Sequence, residues 1–100
     1  MIVGVLGTDA GSLSRLVPGG VEAQMGRALA RVQEMLESAS LDGSDLVACT
    51  AFLVASDDAT AVAEAFAERF PDAPPVRPAV VVGALPLDAL VELECVASTG

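Results

Sequence analysis

From Val21 onward the apolar residues fall three and four positions apart: Val21, Met25, Ala28, Leu29, Val32, Met35 and Leu36. Glu22, Arg27, Arg31, Glu34 and Glu37 take the opposite face. The spacing predicts an amphipathic helix ending near Ser38 to Ser40, before the turn LDGSD. A second stripe, Val62, Phe66 and Phe70, predicts another helix. Ser56, Asp57 and Asp58 would supply its cap and acidic first turn, and Pro71 would stop it.

Elsewhere the pattern is that of strands. MIVGVL reads as a first strand ending at Gly7, and the turn-rich GTDAGSLSRLVPGG follows, with a short strand pair at Leu16 and Val17. LVACTAFLV (46–54) is apolar on both sides. Val47, Cys49, Ala51 and Leu53 should face one way, and Leu46, Ala48, Phe52 and Val54 the other, with Thr50 the only polar member. The stiff loop PDAPPV precedes a third main strand from Ala79 to Val82, and a fourth runs from Leu90 to Ala97. The order is strand, helix, strand, helix, strand, strand, which predicts one sheet with two helices on one face. Two helices cannot cover both faces of a sheet that is apolar on both. The second face must meet something else, most economically copies of the same chain.

Composition sharpens this picture. At 100 residues the chain is long enough for one core, so residues 1–100 read as a single domain. Its hydrophobic fraction of 53% is high for that size and again points to an extra buried face. No run approaches the roughly 20 apolar residues that span a bilayer, and the N-terminus has no basic leader segment. The expected location is the cytoplasm.

Charge and absences narrow the chemistry. Fourteen acids oppose five arginines, for a net charge of −9. That field repels phosphate backbones and acidic membrane surfaces, so neither nucleic acid nor membrane is expected as a partner. With no His in the chain, a Ser-His-Asp triad or a histidine metal site is ruled out. There is no phosphate-binding glycine loop and no calcium-type acidic loop, so no cofactor or metal is expected. Cys49 and Cys95 fall in two different strands; they could pair, but in a reducing compartment they read as reduced, buried thiols.

Three polar residues in the apolar C-terminal stretch remain as candidates. Alternation places Val91, Leu93 and Cys95 on one strand face, with Glu92 and Glu94 on the other beside Leu90 and Val96. The two carboxylates either wet an exposed face or share a proton at raised pKa. Arg77, at the strand's entrance between prolines, is either a surface residue or an anion-binding group.

The segments VEAQMGRALARVQEMLESASLDGSDLVACTAFLV and FPDAPPVRPAVVVGALPLDALVELECVA resemble the Rid family, also called YjgF/RidA or endoribonuclease L-PSP. The resemblance runs from about Val3 to Ala97. It implies an α+β, chorismate-mutase-like fold and a homotrimer with ligand clefts between subunits. It also implies hydrolysis of reactive enamines and imines to a 2-keto acid and ammonia. Arg77 matches the arginine that grips the substrate carboxylate, which suits a guanidinium fork that never loses its charge. Glu92 matches the acid that orients water or moves a proton, and the amide of Ala79 matches a backbone donor at the ligand. Glu94 has no role by resemblance.

The chain also departs from the family pattern. It begins where the family's second strand would, without the leading strand and its tyrosine. Val3 stands where serine is common, Ala63 where asparagine is common, and Ala79 where Cys or a small polar residue is usual. Three readings follow: an imine deaminase using Arg77 and Glu92, a silent trimer that binds small carboxylate metabolites, or a structural or interaction module. The charge balance gives no support to RNA cleavage.

Overall fold

In the computed structural model, which describes residues 2–7 and 15–98 (2–6 and 77–79 as backbone), helices and strands follow the expected order. They are β1 (Ile2–Leu6), α1 (Gly20–Ser38), β2 (Leu46–Leu53), α2 (Ala59–Arg69), β3 (Arg77–Val81) and β4 (Val91–Ala97). The strands form one mixed sheet in the order β1-β4-β2-β3. β4 runs antiparallel to both neighbours, and β3 runs parallel to β2. The expected α+β architecture, one mixed sheet with two helices on one face, is the observed one. Part of the turn-rich stretch after Gly7 lies outside the described residues.

The helix stripe read from spacing is the buried one. α1 buries Met25, Ala28, Leu29, Val32 and Leu36, while Val21 and Met35 pack at the margin. α2 buries Val62 and Phe66, and Phe70 continues the stripe just past its last residue. These side chains form one buried cluster with Cys49, Ala51 and Leu53 of β2 and Val91, Leu93, Cys95 and Ala97 of β4. Removing each of the larger side chains, Val, Leu, Met and Phe, from water contributes about 1.5–3 kcal/mol, which makes this face the main source of cohesion.

Four local expectations need correction. The first is the start of β2, where Leu46 pairs with Ala97 but Ala48 pairs with Val96. Val47 is therefore an extra residue, a bulge that turns Leu46 into the core and leaves Val47 55% exposed. The second is β3, which starts at Arg77 rather than Ala79. Pro78 is tolerated because β3 is an edge strand with a single ladder, which is irregular at this point. Third, Ser56–Asp58 forms a 3-10 turn ahead of α2, and Asp58 makes no side-chain cap.

The fourth correction concerns the cysteines. Cys49 and Cys95 are not free thiols but a disulfide, with Cα atoms 4.1 Å apart. They are direct cross-strand partners in the β2–β4 ladder, both on the helix-covered face. Membership of two strands said nothing about this, because only the register sets which residues of two strands stand opposite.

Two contacts lock α1 onto the sheet. Gly7 lies so close to α1 that a Cβ there would sit 2.4 Å from the Gln24 carbonyl oxygen. The Gln24 side chain, buried at 6% exposure, accepts a hydrogen bond from the Leu90 amide at 2.8 Å. At the other end of α1, the LDGSD turn is closed by a reciprocal pair. Asp42 accepts from the Ser44 amide, and Asp45 accepts from the Asp42 amide at 2.9 Å. Bonds from the Ser44 hydroxyl and amide hold the Asp42 carboxyl below its ordinary pKa.

Candidate functional site

The face of the sheet without helices carries the candidate residues. On β4, Glu92 and Val96 are half-buried and Glu94 is exposed, as alternation requires. On β2, Ala48, Thr50 and Phe52 are half-buried on the same side. Among the described residues neither glutamate makes a side-chain hydrogen bond or ion pair. The ladders order this face into rows that cross all four strands. One row runs Gly4, Glu94, Thr50, Arg77; the next runs Leu6, Glu92, Phe52, Val80.

The structure thus brings Arg77 and Glu92 to neighbouring rows of one sheet, on strands separated only by β2. Arg77 shares its own row with Glu94. Strand geometry puts the Cα atoms of Arg77 and Glu94 roughly 10 Å apart, with Glu92 roughly 12 Å from Arg77 on the diagonal. A small carboxylate with a reactive carbon beside it is the size of object that such a separation accommodates.

The local backbone is irregular where the candidates lie. Between the pairs Thr50/Arg77 and Phe52/Val80, β2 advances by two residues and β3 by three. Pro78 and Ala79 together therefore stand against Ala51. Bulges of this kind free main-chain groups from the ladder and re-aim neighbouring residues. Ala79, the expected backbone donor, lies within this irregularity. Its cause is legible, since Pro78 has no N–H to give.

β4 is delivered to its place by two features that the sequence reading missed. Leu87 and Asp88 adopt left-handed backbone (φ 59° and 58°) in the turn after Pro86. Gln24 then fixes the amide of Leu90, two residues before Glu92. Gln24 stands among the residues that carry the family resemblance, but its polar character in a core-facing stripe was the available signal. Thr50 was seen as the lone polar residue of β2; its position between Glu94 and Arg77 was not.

The concavities on the helix side are elsewhere. One of about 350 Å³ lies among Gln33, Leu36, Asp42, Arg69 and Phe70, and one of about 260 Å³ among Glu22, Met25, Val62 and Glu68. Neither is lined by Arg77, Ala79 or Glu92. Among the described residues no group of three or more His, Cys, Asp or Glu is placed to hold a metal. Nor is any described helix long and apolar enough to cross a membrane.

The family model for Endoribonuclease L-PSP matches residues 1–99. The chain belongs to that family. It is 37% identical over 99 residues to the RutC family protein UK114 of Drosophila melanogaster, covering 99% of this chain and 71% of that one. It is also 37% identical over 99 residues to a 2-iminobutanoate/2-iminopropanoate deaminase of Capra hircus, covering 99% and 72%. Among solved structures, RidA from an Antarctic Psychrobacter matches with a TM-score of 0.85 at 28% identity, over 95% of this chain and 76% of that one. The YjgF gene product of E. coli matches with a TM-score of 0.80 at 31% identity, over 96% and 77%.

Proposed function

We propose that this member of the Endoribonuclease L-PSP family hydrolyses 2-enamines and 2-imines to a 2-keto acid and ammonia. The observation that carries the reading is the pairing of Arg77 and Glu92 on neighbouring rows of the uncovered sheet face. A relative 37% identical and named a 2-iminobutanoate/2-iminopropanoate deaminase supports it. Arg77 holds the substrate carboxylate through its guanidinium fork. The amide of Ala79 donates to the ligand beside it. Glu92 takes a proton from a water as that water's oxygen bonds to the imine carbon. Glu92 returns that proton to the nitrogen, and the resulting amino alcohol collapses: the hydroxyl proton passes to the nitrogen as the C=O forms, the C–N bond breaks, and ammonia leaves carrying both protons of the water. No redox partner or cofactor is needed to balance this sequence.

The site works in a homotrimer with the uncovered face toward its centre. Support comes from the half-buried Ala48, Phe52 and Val96 on that face, which no helix covers among the described residues. The location is the cytoplasm, where the Cys49–Cys95 bond is protected by burial of both residues to 1% exposure or less.

One coupled experiment tests the reading. Wild-type protein should release ammonia from 2-iminobutanoate or 2-aminoacrylate. Arg77→Ala should lose calorimetric binding of 2-oxobutanoate, while Glu92→Gln should keep binding and lose turnover. Binding without turnover in the wild type would leave a silent carboxylate-binding protein. Unchanged binding in Arg77→Ala would leave an interaction module.

A further inference from the structure

Glu94 stands in the same cross-strand row as Arg77, with only Thr50 between them. It is exposed on the uncovered face and has no side-chain partner among the described residues. Glu92 adds a second carboxylate one row away on the same strand and side. Arg77 is the only arginine on a strand; Arg27, Arg31 and Arg69 lie on helices and Arg15 in the turn before α1. A ligand carboxylate bound at Arg77 uses up the one positive charge of these rows. Any further group that the ligand extends along the face then meets two uncompensated negative charges.

From this arrangement we propose that Glu94 determines substrate charge: the site accepts imino acids with neutral or cationic side chains and rejects those with a second carboxylate. The proposal rests on the deaminase reading above, because it needs the first carboxylate at Arg77. Its physical content is simple. A charge roughly 7–10 Å away across a partly wet surface changes affinity for a unit charge by about three- to tenfold. The effect has opposite sign for ammonium or guanidinium and for carboxylate. Salt should weaken it, since these distances approach the Debye length of about 8–10 Å. The protein's net charge of −9 adds in the same direction.

The test is calorimetric, on wild-type protein, Glu94→Gln and Glu94→Lys, with three keto acids that share the carboxylate and differ in side-chain charge. 2-Oxobutanoate is neutral, 2-oxoglutarate carries a second carboxylate, and 5-guanidino-2-oxopentanoate carries a cation. The wild type should bind the guanidino compound tightest and 2-oxoglutarate weakest. In Glu94→Gln the ratio between these two, which differ by two unit charges, should shrink by about ten- to a hundredfold, and in Glu94→Lys it should shrink further or invert. A ratio unchanged in both variants overturns the proposal while leaving the deaminase reading intact. If 2-oxobutanoate itself fails to bind the wild type, the deaminase reading falls and this inference falls with it.

Discussion

The two faces of β4 are made from the same seven residues and have opposite characters. Val91, Leu93, Cys95 and Ala97 lie under the helices, each at 4% exposure or less. Glu92, Glu94 and Val96 lie between them on a face that no element covers among the described residues. On the first face position is dictated by packing, and almost any polar atom would be costly. On the second, polar groups stand in ordered rows at little cost to the fold. Stability and chemistry are thereby separated by the alternation of a single strand.

The comparison is broken most severely from the covered side. Leu93→Ala should cost about 3–4 kcal/mol, because a fully buried leucine leaves a cavity that sheet and helix cannot fill. Urea denaturation should show this loss at any protein concentration. Val96→Ala, on the uncovered face, should cost about 1 kcal/mol in a dilute monomer, and more under conditions where the face is covered by other subunits. An equal loss for the two variants at low concentration would erase the distinction between the faces.

Reduction of the disulfide tests how the covered face is held. The bond closes a 46-residue separation, so its loss should lower stability by about 2–4 kcal/mol. The measurement is denaturation with and without a strong dithiol, with mass spectrometry to confirm the redox state. The close approach of β1 to α1 comes next. Gly7→Ala should cost about 2 kcal/mol, since its Cβ would press on the Gln24 backbone rather than on a side chain that can move. A thermal melt gives the answer.

The smallest effect lies farthest from both faces. The carboxyl of Asp42 is held below its ordinary pKa by Ser44, so its contribution is complete above about pH 4 and fades as pH falls through the lowered value. Asp42→Ala should therefore melt slightly below wild type at neutral pH. The difference should disappear in strong acid.

Much of this architecture was legible because it depends on local period. The α1 stripe from Met25 to Leu36 and the alternation from Val91 to Val96 each need only neighbours along the chain. What was missed depends on pairing between distant segments. The bulge at Val47 is visible only against Ala97 and Val96, and the Cys49–Cys95 bond only once β2 lies against β4. The third strand was expected only from Ala79, and the place of β3 at the sheet's edge lets it begin at Arg77 despite Pro78. At the candidate site, residue types marked Arg77, Glu92 and Glu94, and the family resemblance singled out Arg77 and Glu92. That Glu94, rather than Glu92, shares the row of Arg77 is a matter of register, which no single segment encodes.

The strand order has a consequence for how the molecule comes into being. β4 is the last of the four strands in sequence yet sits between β1 and β2, which do not pair with each other. As the polypeptide leaves the ribosome, β1 must wait for Val91–Ala97 before it has a neighbour to hydrogen-bond. Until then β2 and β3 are the only strands that can pair. Such dependence on distant contacts slows folding and prolongs the exposure of apolar segments. Nascent chains that stop before β4 should therefore engage chaperones or proteases, and Glu92 and Glu94 arrive in the same step that closes the sheet.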